Sequence, residues 1–363
     1  MSGVEVRIAT TPEEREAVFR FRYEVYVEEL GRYRATADHE RRRLADPEDD
    51  HSWIVCARLA DESRQVVGTT RITWGGHGFS ERQVEQYQLA PFLAEIPAER
   101  MLVGERTMIS PRLRGTDLFP TLTAPCEALT LAHDVRIVFG ACEPHLLSLY
   151  AAYQRPYGTR NINSAEAGFL VPLISFPQEP EALLKLGHDG RLPRCVEVAL
   201  TGSGTVESPF HLGDEAYLAG LLQELAALDA ALVPTVFDGL DEDEVARCVR
   251  RSNVITCHAG DRLLKTGGSA RNAFVVLDGE LRVSRDGEPV GSVGPGEIVG
   301  EMAYLLQQPR GFDVDVVADA TRVLSLSERT MTKLPEADPI AAAKLSANIS
   351  RQLCRRLAAA GAA

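Results

Sequence analysis

The chain has 363 residues, 45% hydrophobic and 25% charged, enough apolar sequence to bury a core and enough length for two domains. Its formal charge of -13 opposes a general nucleic-acid binder, which needs clustered Lys and Arg against phosphates. No basic-then-apolar leader opens the chain, and no run of about eighteen apolar residues could span a bilayer, so a cytoplasmic protein without a membrane span is expected. The seven cysteines are scattered, odd in number and never spaced as CxxC, so reduced thiols are expected, with no disulfide framework. The histidines form no ligand-spaced group, and no metal is expected.

The pattern from Val4 to about Ile174 alternates between strand and helix. VEVRIA reads as a strand, PEEREAVFRFRYEVYVEEL as an amphipathic helix, and SWIVCARLA and QVVGTTRITW as paired strands. MLVGERTMIS is a further strand, followed by a helix from Leu118 to His133, the strand VRIVFGAC and a helix beginning at Pro144. This is a mixed α/β layout, a central sheet with flanking helices. A Gly/Ser/Pro-rich break, GSGTVESPFHLGD, precedes DEAYLAGLLQELAALDAAL, whose apolar spacing predicts a connecting helix. The expected division is 1–210, a connecting helix at 211–232, and 233–363.

After Val236 short apolar strands alternate with the turn signals AGD, TGG, LDGE, RDGEP and GPGE. Such a pattern predicts an antiparallel β jelly-roll barrel with flanking helices, closed by one helix from about Ile340 to Ala360. Within it, GPGEIVGEMAYLLQQPRGFDV puts Gly300 and Glu301 a short helical run ahead of Arg310. Helix-start amides suit an anion, a glycine allows close approach, a carboxylate accepts from a ribose hydroxyl, and a guanidinium forks onto phosphate oxygens.

From Phe237 to Ser327 the chain resembles the cyclic-nucleotide-binding domain family: HAGDRLLKTG matches its first hairpin, AFVVLDGELRV the next strands, and VGEMAYLLQQPR its phosphate-binding cassette. The resemblance implies a nucleotide site at Gly300, Glu301, Met302, Ala303, Arg310 and Gly311. Gly311 lacks a hydroxyl that could favour guanine, which points to cyclic AMP as effector. Two departures follow the arginine. Phe312 puts a phenyl ring where relatives carry a small side chain, and Asp313, if turned inward about 4 Å from a phosphate, would repel it by about 4 kcal/mol at an effective dielectric near 20. A single helix follows the barrel, so no helix-turn-helix and no DNA binding are expected; a homodimer through this domain stays open.

The first domain resembles the GNAT acyltransferase superfamily, in particular its N-acyl amino acid synthase and acyl-homoserine lactone synthase branch. The resemblance rests on the helix RYEVYVEEL, the DDHSW loop, GTTR and the strand ERT. It implies transfer of an acyl group from an acyl thioester, on acyl carrier protein or coenzyme A, to the amine of an amino acid or similar small molecule. Glu105 is then the expected base, with Asp50 and His51 as second candidates; Arg71 orients a carboxylate, and Tyr150 protonates the leaving thiolate. For Glu105 an ion pair with Arg71 or Arg106 is the structural alternative. The donor loop is Arg112, Arg114, Gly115 and Thr116, but it ends in Asp117, a carboxylate that opposes phosphate and suits a helix cap. That favours a carrier-protein donor, as do Arg32, Arg34, Arg41, Arg42 and Arg43 against an acidic carrier. Two competing functions remain open at this point: a non-enzymatic acyl- or nucleotide-responsive scaffold, and a cyclic-nucleotide-regulated protein lysine acetyltransferase.

Overall fold

The computed structural model describes residues 3–151, 153–164, 166–179, 182, 186, 191–201, 235–249, 252–268, 272–326 and 328–361. The expected connecting helix at 211–232 lies outside the described residues. The chain divides into two units, one of residues 1–141, 153–158 and 172–210, the other of 142–152, 159–171 and 211–363. Two short segments ahead of residue 210 therefore belong to the second unit.

The first unit is built on a mixed sheet. Its strands are β1 (Val4–Ile8), β2 (Trp53–Leu59), β3 (Val66–Trp74), β4 (Met101–Ile109), β5 (Ile137–Cys142), β6 (Arg155–Pro156) and β8 (Gly168–Ser175), in the order β1-β2-β3-β4-β5-β8-β6. β8 enters this unit at Pro172; its start pairs with β7 (Ile162–Ser164) within segment 159–171 of the second unit. β4 and β5 run parallel; β1 to β4 form an antiparallel meander. Alternation sorts the side chains of β2: Ile54 and Cys56 pack with Val18, Phe19 and Phe21 of helix α1 (Pro12–Arg22), while Val55 and Ala57 pack with Leu118 and Leu122 of the helix Leu118–Ala132. Helix α1 starts where expected, because Thr11 and Glu14 form a capping box and Pro12 fills the first turn. Beyond Arg22 the expected single helix continues instead as a wider π-helical stretch, Tyr23–Glu29, with Leu30 N bonded to Val25 O at 3.1 Å. The helix expected at Pro144, which falls in the second unit, is brief: a turn at Pro144–Leu146 and a single helical turn, Leu147–Tyr150.

The second unit carries two four-stranded antiparallel sheets. One has the order β10 (Arg262–Leu264), β15 (Asp313–Val316), β12 (Leu281–Arg285), β13 (Glu288–Val293); the other β14 (Ile298–Val299), β11 (Ala273–Asp278), β16 (Thr321–Leu326), β9 (Asn253–Cys257). The jelly-roll arrangement stands, but as two sheets rather than one closed barrel among the described residues. The RDGE turn joins β12 to β13 with Asp286 and Gly287 both left-handed (φ 52° and 85°), the geometry that lets strands of natural twist meet in two residues. Val275, Leu277, Leu324 and Leu326 pack against Leu345 and Ile349 of the terminal helix Pro339–Gly361. No helix among the described residues is long and apolar enough to cross a membrane.

Candidate functional site

Five elements of the first unit deliver charged side chains to one place. The turn Pro47–His51 puts Asp46 and Asp49 three residues apart, so their carboxylates share a face, and Asp46 N donates to Asp49 Oδ2 at 2.7 Å. Arg22, the last residue of α1, donates through Nη1 to both Asp49 oxygens at 2.9 and 2.8 Å. On β3, Arg71 lies opposite Glu105 of β4, and its Nη2 donates to Glu105 Oε2 at 2.9 Å while Nη1 reaches Asp46 at 2.8 Å and Asp49 at 3.4 Å.

Neighbouring residues of a regular strand point to opposite faces, yet Glu105 and Arg106 both join this network. A bulge explains it. Thr69 pairs with Met108 and Arg71 with Glu105, so Arg106 and Thr107 together oppose Thr70, and Arg106 takes a left-handed φ of 56°. Its guanidinium grips Asp46 at 2.6 and 2.7 Å and lies over the Tyr33 ring, 4.2 Å from the centroid.

Helix α2 (Glu81–Gln86), capped by Ser80, completes the group. Arg82 Nε donates to Glu48 Oε1 at 2.8 Å and Nη2 to Glu105 Oε1 at 2.9 Å; Gln83 Nε2 donates to Glu105 Oε2 at 2.8 Å and the Tyr87 hydroxyl to Oε1 at 3.2 Å. Four arginines thus meet four carboxylates, and the formal charges cancel. Arg22 is 0% and Arg71 1% exposed, burial that only such pairing sustains.

Burial works to raise the pKa of Glu105, but Arg71 and Arg82 outweigh it and bring it down to about 2; at Asp46 burial is likewise overcome by Arg106 and Arg71, again to about 2. Both folded values lie below the ordinary carboxylate value of about 4, so as pH falls the unfolded chain takes up these protons first. Their stabilisation is fully present above about pH 5 and is lost as pH falls toward 2. Melting temperatures should fall from pH 5 to pH 3, and Asp46→Asn should flatten that slope. A slope the same in Asp46→Asn as in the wild type would rule out this origin.

Of the expected residues, the structure brings Glu105 and Arg71 together, and Glu105 pairs with Arg71 rather than Arg106. Asp50 is exposed and His51 half-buried, offering its carbonyl to His77 Nδ1 at 3.0 Å; it is Asp49 that faces the network. Tyr150 ends the short helix Leu147–Tyr150, half-buried, in the second unit rather than the one that carries the network. In the donor loop Arg112 is exposed and Gly115 left-handed (φ 80°), while Arg114 is already forked onto Glu29 at 2.6 and 2.9 Å. Asp117 makes no side-chain cap; Leu118 N instead donates to the Thr116 hydroxyl at 3.4 Å. Sequence reasoning missed Arg22, Asp46, Glu48, Asp49, Arg82, Gln83 and Tyr87. The one available signal was the three-residue spacing of Asp46 and Asp49, the period of a tight turn.

In the second unit Gly300 is left-handed (φ 86°) at the start of the helix Glu301–Leu306, and a Cβ there would lie 2.7 Å from Arg310 Nη1. Arg310 is 5% exposed, donates Nη1 to Gly300 O at 2.6 Å and Nη2 to Asn272 O, and keeps a buried Nε with no partner. Burial lowers its pKa to about 10. Glu301 is 3% exposed; Arg356 of the terminal helix reaches Oε1 at 3.3 Å, and Oε2 has no partner. Ala303 is buried, whereas Met302 and Gly311 are exposed. Phe312 turns to Arg285, whose guanidinium lies 4.3 Å from its ring. Asp313 does not turn toward the cassette: it accepts from Thr266 N at 2.6 Å and pairs with Arg262 at 2.8 Å, so the repulsion expected from it has no basis.

A model of the GNAT acetyltransferase domain matches residues 21–124, a span that contains the whole charged network, and a model of the cyclic nucleotide-binding domain matches residues 254–338, which include Gly300, Glu301 and Arg310. The chain is 32% identical over 233 residues to an L-ornithine N(alpha)-acyltransferase of Rhodobacter capsulatus, covering 58% of this chain and 87% of that protein. It is 32% identical over 163 residues to Glutaminase 2 of Bradyrhizobium diazoefficiens, covering 44% of this chain but only 23% of that protein. Among solved structures, a cAMP-binding acyltransferase from Mycobacterium smegmatis shows 22% identity and a TM-score of 0.32, over 40% of this chain and 43% of that one. The chain belongs to the family of the L-ornithine Nα-acyltransferase, its GNAT domain followed in sequence by a cyclic nucleotide-binding domain.

Proposed function

We propose that this protein moves an acyl group from an acyl thioester to the amine of an amino acid or similar small molecule, at a rate set by a cyclic nucleotide, cyclic AMP, in its second domain. The transfer half rests on kinship with an ornithine acyltransferase and on the position of the charged network inside the GNAT match. The amine nitrogen attacks the thioester carbonyl carbon, the C–S bond breaks, and the thiolate takes up a proton. The bulge at Arg106 interrupts the β4 ladder beside Glu105, where a backbone amide freed from pairing would meet the developing oxyanion. Arg114, committed to Glu29, is a poor receptor for a pyrophosphate, and Arg34 and Arg41 remain exposed; both observations favour a carrier-protein donor over coenzyme A.

The observation that carries the regulatory half is the unpaired Nε of buried Arg310 facing a cassette where Glu301 Oε2 is also unpaired. Arg310 donates to two carbonyls and keeps one donor free, buried Glu301 keeps one acceptor free, and a cyclic phosphate with its ribose hydroxyl would supply both partners. The test is mass spectrometry of products from the full chain with acyl carrier protein or acyl-coenzyme A, a panel of amino acids and diamines, and cyclic AMP present or absent. An N-acyl product whose rate changes several-fold with nucleotide is expected. No product from any pair removes the enzyme; a product indifferent to nucleotide removes the regulation.

A further inference from the structure

Among the four arginines of the network, Arg82 differs in one respect. The side chains of Arg22, Arg71 and Arg106 are sealed or nearly so, at 0%, 1% and 12% exposed, but that of Arg82 is 43% exposed. It reaches from α2 across two buried carboxylates, with Nε on Glu48 and Nη2 on Glu105, and its third nitrogen merely returns to Gln86 of its own helix at 2.9 Å. Arg82 is therefore a cation laid over an anionic floor, with its outer edge in solvent. Taking it away would leave Glu48 with the Ser80 hydroxyl at 2.9 Å and Arg71 at 3.8 Å, and Glu105 with Arg71, Gln83 and Tyr87. Both carboxylates would stay in place, and the balanced network would be short of one positive charge.

An amine acceptor near neutral pH arrives as an ammonium ion and must lose a proton before it can attack. Building on the acyltransferase reading above, we propose that Arg82 is a displaceable place-holder for that ammonium, and that the acceptor docks by replacing its guanidinium between Glu48 and Glu105. The bookkeeping closes: R–NH3+ gives one proton to the Glu105 carboxylate, the neutral amine forms the C–N bond as the C–S bond breaks, and the second proton goes to the thiolate. The incoming ammonium takes over the positive charge that Arg82 gave to Glu105, so the network stays balanced when the acceptor docks. Displacement is cheap here and nowhere else in the network, since a half-exposed guanidinium regains water and a sealed one does not.

The experiment uses the full chain with saturating acyl donor. In Arg82→Ala the KM for the acceptor should fall about five-fold, the scale of one half-exposed ion pair. Methylguanidinium should compete with the acceptor in this variant and leave the wild type unaffected, which a purely structural arginine would not produce. Arg82→Lys, able to satisfy one carboxylate at a time, should give an intermediate KM and serves if Arg82→Ala folds poorly. A KM raised about ten-fold for acceptors bearing a carboxylate, but not for the same amine without one, would make Arg82 a carboxylate receptor and overturn the proposal. So would activity restored by methylguanidinium. If the wild type transfers no acyl group, the acyltransferase reading fails on its own; calorimetry of diamine binding to wild type and Arg82→Ala then still decides the docking, equal affinities counting against it.

Discussion

Glu105→Gln should lower acyl transfer by about 100-fold or more, the usual scale for loss of a general base. The amide keeps the shape of the side chain but carries no charge to accept the amine proton. It also cannot answer Arg71 and Arg82, both of which donate to Glu105 at 2.9 Å, so the variant leaves the network one positive charge in excess. The two effects separate experimentally: the melting temperature reports the excess charge, and turnover per folded molecule reports the base. A variant with wild-type turnover per folded molecule would remove Glu105 from the chemistry. Loss of turnover explained entirely by unfolding would reduce it to an anchor for Arg82.

In the second unit, Arg310→Ala should weaken cyclic AMP binding by about 100-fold or more, because the phosphate would lose its charged partner. Stability should fall as well, since the Gly300 and Asn272 carbonyls lose donors and buried Glu301 loses a nearby positive charge, so affinity is compared per folded molecule. Calorimetry is to be done on the full chain, because residues 142–152 and 159–171 belong to the second unit and a fragment starting at 233 would lack them. Asn253, for example, donates to the Pro144 carbonyl at 2.9 Å, and Asn161 to the Thr256 carbonyl at 2.9 Å. Equal affinity of Arg310→Ala and wild type, or no binding by the wild type at millimolar nucleotide, would end the regulatory reading.

What could be read from the residues was whatever repeats locally. Strand alternation located β2, β3 and β4, and turn chemistry located the RDGE hairpin, because pleat and turn are decided by neighbours a few residues apart. The cassette was legible for the same reason, its glycine, glutamate and arginine lying within eleven residues of one another. The charged network was not. Arg22, Asp49, Arg71, Arg82 and Glu105 come from five separate elements, and no local pattern says that they converge. Within the DDH run Asp49 faces the network while Asp50 and His51 do not, because the tight turn sets Asp46 and Asp49 three residues apart on one face. The bulge at Arg106 was equally hidden, since a left-handed arginine has no sequence mark of the kind that glycine provides.

The cancellation of charge in that network also bears on how such a chain can change over evolutionary time. Removing any one of its sealed ions strands a partner in a low-dielectric interior, at a cost of about 3–5 kcal/mol that a marginally stable domain can scarcely absorb. Single steps are therefore closed in both directions, and viable descendants are reached by exchanging an arginine and its carboxylate together, as at Arg22 with Asp49. Arg82, already half in water, is the member free to vary alone. Across related chains the interior positions should then change in matched pairs, while position 82 drifts on its own and divergence in acceptor preference collects there.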